Sequence, residues 1–364
     1  MTPELRRAEH NKREGVCYAL TDDGLELPVV DVTHPAFELS MTAEHQQQLI
    51  AHFLEKQRRF ARLPAWVRRV VMRFALRGSS IARGLKRAEG TYLDGMTTYF
   101  FKLGSKNLGS YAVPVDRKIA ASLPGMAVRL RARDMAQLLA EALSPQLALD
   151  ARRPLHFLNI AGGAAADSIN ALLLLFKRER ALLLGRPCVI HVLDADAHGP
   201  AFGARAVEAL RQPGGPLAGV DVRLRHRRYD WSQVEGLEPV LAEARAAGAI
   251  SIGSSEGGLF EYGSDQAIVD NLTALATAGH AFKVVGSVTR DDETMRTLKL
   301  TSTAATRPRG LTVFSELVAR AGFRVTASIA RPLSDQVVLG RDETLGQETA
   351  PARGSRAART RRER

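Results

Sequence analysis

Apolar and polar positions give the chain two rhythms. From about residue 153 to 340, short apolar runs alternate with stretches of helical period. The runs "LHFLNIA", "CVIHVLDAD", "VDVRLRHRRYDW", "AISIGSS" and "HAFKVVGSV" are the length of strands and are bounded by turn residues. Between them lie "AADSINALLLLFKRERALLLG", a segment opened by Pro200, "EPVLAEARAAG" and "SDQAIVDNLTALATAG". These repeat apolar residues at three- and four-residue intervals, and the first closes on Gly185 with Pro187 beyond it. Regular alternation of strand and helix predicts a mostly parallel sheet covered on both faces. The ending breaks the pattern. After the helix "LTVFSELVARAG" come "FRVTASIA" and "DQVVLGR", joined only by "RPLS". That connection is too short for a crossover helix and predicts an antiparallel hairpin.

The first part of the chain reads differently. Residues 1–40 are irregular, with one short strand expected at "LPVVDV". Residues 41–148 form a helical region. "SMTAEHQQQLIAHFLEKQRRF" opens on a Ser or Thr cap with a Glu near the capping-box place, and "ARDMAQLLAEAL" is a second helix. Residues 149–340 then form the α/β domain, and residues 341–364 a basic tail without apolar periodicity, expected to be disordered. "PAWVRRVVMRFALRG" puts Trp66, Val67, Val70, Val71 and Phe74 on one helical face, with Arg68, Arg69 and Arg73 opposite. A core-facing helix with solvated arginines is the favoured reading, and a weak contact with a membrane surface is the other.

With 364 residues, 45% hydrophobic and 25% charged, the chain has room for one large domain and an accessory region. Its two cysteines, Cys17 and Cys188, supply neither a disulfide framework nor a zinc spacing, so no metal site is expected. The opening residues lack an apolar leader, and the longest apolar run, Ala171 to Phe176, is far too short to span a bilayer. A reducing, cytoplasmic setting is the expectation. The net charge of +12 comes largely from the tail and from Lys56 to Arg87, which holds eleven Lys or Arg and no acid. Without those segments the chain is close to neutral, so charge alone does not call for nucleic acid as a partner, and none is expected.

The chemistry concentrates in "HFLNIAGGAAADSINALLLLF", His156 to Phe176, where a buried strand runs into a turn of glycines and alanines and then a helix. Glycine lets backbone approach a ligand, and the helix start presents free N–H groups. This turn, the five parallel strands, the following helix and the terminal hairpin resemble the class I S-adenosylmethionine-dependent methyltransferase superfamily. The resemblance covers roughly residues 153–340. It implies an α/β fold with a mostly parallel doubly wound sheet and a C-terminal antiparallel hairpin, preceded here by an N-terminal helical cap. It also implies S-adenosylmethionine as cofactor.

The resemblance assigns roles residue by residue. Ala161, Gly162 and Gly163, followed by Asp167, stand at the turn under the methionine end of the cofactor. Gly163 fits the middle glycine of the family's Gly-x-Gly-x-Gly, while Ala161 and Ala165 replace the outer two and Asn159 stands where an acid is common. Alanine suits those places only where φ is negative. Asp194, flanked by Ala195 and Asp196, would bond the ribose hydroxyls, since a carboxylate offers two oxygens to a vicinal diol. Asp230 would receive the adenine amino group, Trp231 would pack on its face, and Ser254 would line the same site. In the loop "SIGSSEGGLFEYGSD", Glu261 and Tyr262 would touch the acceptor, joined by Tyr99 and Phe100 from "GTYLDGMTTYFFKLGSKNLG". Where an acceptor hydroxyl needs deprotonation, Glu256 and His198 are the candidate bases. One of Arg129, Arg131 and Arg133 is placed to reach a carboxylate of the cofactor or substrate, with surface solvation the reading for at least two of them. His191 and Cys188 read as core.

The activity implied is methyl transfer to a small-molecule acceptor, oxygen favoured over nitrogen; no Asp/Asn-Pro-Pro-aromatic tetrapeptide is present to suggest a nucleic-acid base. Two rivals stand beside it. A nicotinamide-dependent (NAD(P)) oxidoreductase would want glycines at Ala161 and Ala166 and an acid about 20 residues on, nearer than Asp194. A non-catalytic binding or assembly protein keeping the fold would tolerate the alanines.

Overall fold

The structure, a computed structural model, describes residues 12–64, 66–67, 70, 78–302 and 304–342. Most of the expected amphipathic helix at 64–78 and nearly all of the basic tail therefore lie outside the described residues. Strands β1 (Tyr18–Leu20) and β2 (Glu26–Pro28) pair as a small antiparallel hairpin. Helices α1 (Ala43–Ala61), α2 (Ser80–Arg87), α3 (Gly95–Leu103), α4 (Pro114–Ala120) and α5 (Leu123–Leu149) follow. Then come β3 (Leu155–Ile160), α6 (Ala166–Arg178), β4 (Cys188–Asp194), α7 (His198–Arg211), β5 (Val222–Arg228), α8 (Glu238–Ala246) and β6 (Ile250–Ser255). The chain continues through α9 (Leu259–Tyr262), α10 (Asp265–Ala276), β7 (Lys283–Thr289), α11 (Glu293–Lys299), α12 (Gly310–Arg320), β8 (Phe323–Ala330) and β9 (Ser334–Arg341).

The main sheet has seven strands in the order β5-β4-β3-β6-β7-β9-β8. Its first five are parallel, and β9 runs antiparallel to both β7 and β8. This is the class I methyltransferase fold. The parallel strands β3 and β4 are buried from end to end, as continuous apolar runs in a two-sided sheet must be. One face packs Phe157, Ile190 and Val192 against α5, α6 and α7, and the other packs Leu158, Ile160 and Leu193 against α8, α10 and α12.

Register positions the site. Leu155 lies opposite Cys188 and Ile160 opposite Leu193, so β3 and β4 end level. Asp194 is thereby delivered beside the turn that begins at Ala161, whose N–H donates to Leu193 O at 2.7 Å. On the other side Asn159 is level with Ser254 of β6. The strand order reverses between β3 and β6, where one neighbour goes left and the next goes right, and the crevice of an open α/β sheet opens at such a point.

The N-terminal part departs from the sequence reading in three ways. The strand expected at "LPVVDV" is Glu26–Pro28, overlapping that stretch only at Leu27 and Pro28, and it pairs with Tyr18–Leu20, which at three residues is too short to stand out. Thr42 caps α1, accepting from His45 N–H at 3.1 Å, but the residue at the capping-box place is His45 and not a Glu. The helix expected around residues 132–143 is the centre of the 27-residue α5. It begins with Pro124 in its first turn, passes through Pro145, and packs along α6 and across β6, β7 and β9. A boundary at residue 148 thus separates α5 from the sheet it covers.

Two polar anchors hold this arrangement. Asn170 on α6 donates to Val30 O at 2.9 Å and accepts from Val32 N–H at 2.7 Å, fixing the stretch after β2. The guanidinium of Arg186, fully buried, donates to Leu147 O at 3.0 Å, Asp150 O at 2.7 Å and Leu182 O at 2.8 Å, and also to Arg153 O. It satisfies carbonyls that α5 leaves open at its C-terminus.

His156 on β3 and His191 on β4 meet beneath α8, ring nitrogen to ring nitrogen at 3.1 Å, both buried. Burial, then the neighbouring His156, pushes the His191 pKa down to about 4. The fold therefore holds a neutral ring that the unfolded chain protonates below 6.5. Its stabilisation is complete above that pH and is lost as pH falls toward 4, by about 3 kcal/mol for a shift of this size. The melting temperature is expected to drop across that window. His191→Phe should remove the larger share of the slope, and an unchanged slope would exclude the pair as its source.

Candidate functional site

At the C-terminal ends of β3, β4 and β6 lies a cavity of about 200 Å³. Its floor is the turn Ala161-Gly162-Gly163, one wall is Asp194, Ala195, Asp196, Asp230 and Trp231, and the opposite wall is Glu256, Gly257, Gly258 and Tyr262. Its roof is Tyr92, Leu93, Asp94 and Gly95, with Thr98 and Lys102 from α3.

The turn is built on backbone contact. Gly163 has φ +52°, and a Cβ placed on it would lie 2.8 Å from the Cα of Gly95, the first residue of α3. A Cβ on Gly199 of α7 would in turn lie 2.9 Å from Gly163. Three glycines from three elements meet with no side chain between them. Ala161 (φ +56°) and Ala165 (φ +53°) also adopt the left-handed conformation, contrary to the expectation of negative φ. Each is held there at a cost of about 1 kcal/mol, because L-residues crowd their own carbonyl in that region.

Asp194 closes the other side of the turn. One carboxylate oxygen accepts from Gly163 N–H at 2.8 Å and the other from Asp196 N–H at 2.9 Å. Burial raises its pKa, against those two hydrogen bonds. Each oxygen keeps a lone pair for a ligand. Asp196 accepts weakly from His198 N–H at 3.3 Å and Gly199 N–H at 3.4 Å at the start of α7. Asp230 accepts from the Ser232 N–H at 2.9 Å and hydroxyl at 2.7 Å through one oxygen, and its second oxygen has no hydrogen-bond partner among the described residues. Trp231, Tyr92 and Tyr262 form an edge-to-face series, with centroids 5.7 Å apart for Tyr92–Trp231 and 6.4 Å for Tyr92–Tyr262.

The wall below Tyr262 is charged and buried. Lys102 Nζ lies 2.9 Å from Glu256, Arg131 lies 3.4 Å from Glu256 and 2.8 Å from Glu261, and all four side chains are at most 10% exposed. Burial disfavours the charge on Arg131, but Glu261 and Glu256 outweigh it and hold the guanidinium protonated. Under the turn, Asp167 accepts from Asn159 Nδ2 at 2.6 Å, and burial raises its pKa. It is a structural acid below the floor and not a cavity wall, and Ser254 is likewise buried outside the cavity lining.

Several residues chosen from the sequence lie elsewhere. The Tyr99 hydroxyl donates to Pro28 O at 2.9 Å and accepts from Val30 N–H at 2.9 Å, and its ring packs on Phe202. It staples the N-terminal hairpin to α7 and does not face the cavity. Phe100 packs on Tyr111. On α3 the cavity face belongs instead to Thr98 and Lys102, four residues apart and so on one side of the helix. His198 has a side chain 72% exposed and pairs with Asp22 at 2.6 Å, which raises its pKa, outside the cavity lining. Glu256 lines the cavity but is committed to two cations. Glu261 pairs with Arg131 behind the wall, whereas Tyr262 does reach the cavity. Arg131, read from the sequence as a contact for a cofactor or substrate carboxylate or as a surface cation, is instead buried against the protein's own Glu256 and Glu261. Lys102 carried no signal in the sequence beyond its place in an apolar stretch.

Two consequences are measurable. Gly163→Val forces a branched side chain into the backbone of Gly95 at positive φ, so it is expected to destabilise the fold by about 3 kcal/mol or more. An unchanged melting curve would mean that the three-glycine contact is loose. Lys102→Met leaves the buried Glu256 with only its long contact to Arg131, and a loss of about 3–5 kcal/mol is expected in urea denaturation. Adding Glu256→Gln should recover much of that loss, and additive losses would exclude the coupling.

The chain matches no protein-family profile and no curated protein. Among solved structures, a possible exported protein from Bordetella parapertussis superposes with a TM-score of 0.52 at 17% identity, over 83% of this chain and 99% of that one. CalO1, a methyltransferase in calicheamicin biosynthesis in its SAH-bound form, covers 63% of this chain and 58% of its own at 14% identity, with a TM-score of 0.35. The mitomycin 7-O-methyltransferase MmcR covers 72% and 67% at 14% identity, with a TM-score of 0.37. The likeness is one of fold.

Proposed function

We propose that the chain is an S-adenosylmethionine-dependent methyltransferase acting on a small-molecule acceptor, with oxygen favoured over nitrogen. The observation that carries this reading is the charge of the cavity. Asp94, Asp194, Asp196, Asp230 and Glu256 line it against one cation, Lys102, which is already paired. A cofactor with a sulfonium and an ammonium suits such a wall. The two phosphates of a nicotinamide dinucleotide would face three close carboxylates in a partly desolvated cleft, where repulsion is strong, and this argues against the rival oxidoreductase.

The residues fit the cofactor in kind. Asp194 has open lone pairs for a diol, Asp230 has a free oxygen for an amino group, and Trp231 and Tyr92 offer aromatic faces. When bound, the cofactor supplies a methyl group activated by its positive sulfur. The chain's own task is then to align, enclose and exclude water. Alignment of two reactants contributes up to about 7–11 kcal/mol. No strong base stands free in the lining. Glu256 is neutralised by Lys102 and Arg131, so this reading rests on orientation more than on proton abstraction.

The cavity is smaller than the roughly 300–1,000 Å³ of ligand sites in general. In this reading Tyr92 and Leu93 shift outward to admit both reactants, while Gly95 stays against Gly163. The Tyr92 side chain belongs to that roof and is partly exposed.

Titration calorimetry on the purified chain provides the test. S-adenosylmethionine should bind and NADH should not. Asp194→Asn keeps one acceptor for the turn but removes the charge, and it should weaken the cofactor ten- to a hundredfold, about 1.5–3 kcal/mol. NADH binding alone would return the oxidoreductase reading. Binding of neither ligand would favour a non-catalytic protein that keeps the fold.

A further inference from the structure

We propose that the outer edge of β8 pairs with β8 of a second copy of this chain, joining two seven-stranded sheets across a twofold axis. The main sheet ends in two edge strands, β5 and β8, and their residues differ in kind. β5 reads "VRLRHRR", with Arg223, Arg225, His226, Arg227 and Arg228 all exposed. Such a row of cations keeps the open N–H and C=O groups of an edge from meeting another strand. β8 reads "FRVTASIA" and carries no charge from Val325 to Ala330. Thr326, Ala327, Ser328 and Ala330 are exposed there, and Val325 and Ile329 are half-buried. The inner side of β8 is paired with β9, and no strand lies along its outer side among the described residues. The sequence beyond Asp342 has no apolar alternation with which to add one.

The stretch suits its own copy. The one irregularity of β8 falls between Val325 and Ala327, and from Ala327 to Ala330 the strand follows β9 in regular register. Antiparallel pairing about an axis near Ser328 sets Ala327 across from Ile329 of the second copy and the two Ser328 side chains across from each other. Apolar and hydroxyl pairs of this kind stabilise a sheet, and their small size lets the backbones close. Charge decides which edge is used. The chain carries +12, and a twofold contact sets like against like, so the contact needs an uncharged surface. Nearby charges stand outside it or are taken. Arg324 precedes the stretch, Arg331 follows it and is turned onto Asp134, and Asp335, opposite Ala330, is held by Arg290 at 3.0 Å. Main-chain hydrogen bonds supply most of the affinity when one strand is added to an edge. A contact confined to one strand and its flanks is smaller than the roughly 800 Å² per partner of a standard interface, so the dimer exchanges with the monomer. Both copies use the same edge and leave only the cationic β5 edges free, so association closes at two.

The test is sedimentation velocity on the full chain over a concentration series that reaches about 200 µM. The expected result is a monomer–dimer equilibrium with no larger species. Added salt should strengthen it, because screening relieves the repulsion between two positive copies. Hydrogen exchange of the β8 amides should slow as the dimer fills, while that of the β5 amides stays as it was. Ser328→Lys sets two cations against each other at the axis and should weaken the dimer at least about tenfold with an unchanged melting curve. Gln212→Lys adds the same charge just after α7, the helix that packs on β5, and should leave the dimer intact. A chain that stays monomeric at the highest concentration overturns the proposal. So does a dimer that Ser328→Lys leaves intact, or one whose β8 amides exchange at the monomer's rate, since the contact would then lie elsewhere. Should Ser328→Lys lower the melting temperature, the exchange comparison on the unaltered chain decides. The pairing does not depend on methyl transfer, and neither Ser328 nor Gln212 lines the cavity.

Discussion

Backbone meeting backbone at Gly95, Gly163 and Gly199 sets the geometry of the ligand end. Helices α3 and α7 and the turn after β3 approach so closely that even a methyl group would separate them. That contact fixes the height of the roof above the floor and therefore the size of the cavity. It also brings the first residues of α3 and α7 to the turn, each served by an acid, Asp94 for α3 and Asp196 for α7. Asp194 adds a third carboxylate, which binds Gly163 itself. The acids that give the cavity its negative character thus also satisfy backbone donors at a crowded junction.

The charged wall is arranged by a different principle. Lys102, Glu256, Arg131 and Glu261 join α3, α5, the loop after β6 and the short helix α9, where a hydrophobic packing of equal volume is often as stable. What an alternating chain of cations and anions adds is register. Arg131 lies against Gly257, where a Cβ would come within 2.7 Å of its guanidinium, so loop and helix have one position relative to each other. The cap and the sheet are joined at this wall as well as at the glycine junction.

The sheet was legible in the sequence because its signal is local. The central strands β3 and β4 are largely apolar and buried throughout, each strand is set off by turn residues or a helical stretch, and the short link "RPLS" allows only a hairpin. The positions of Asp194, Asp230 and the turn followed from strand ends. The helical cap was less legible because its choices are tertiary. Tyr99 and Phe100 look as suited to a ligand as Tyr92 does, and only the placement of α3 turns Thr98 and Lys102 toward the cavity. The left-handed alanines could not be read either. Their strain is sustained by the surrounding packing, as at Ala161, whose methyl group fills the space a side chain on Gly258 would need. Likewise Glu256 and His198 carry the right chemistry for a base, but their partners come from residues far away in sequence, Lys102 and Arg131 for one and Asp22 for the other.

Arg186 bears on how the protein comes into being. The carbonyls at the end of α5 and in the following loop are closed by a guanidinium that lies 39 residues beyond Leu147 in the chain. During synthesis the long helix therefore leaves the ribosome with its terminus open and its apolar side bare, before β3, α6 and the Arg186 segment exist to cover them. The nascent chain passes through an interval in which α5 is a surface in search of a partner, the condition under which chains of this size draw chaperones or aggregate.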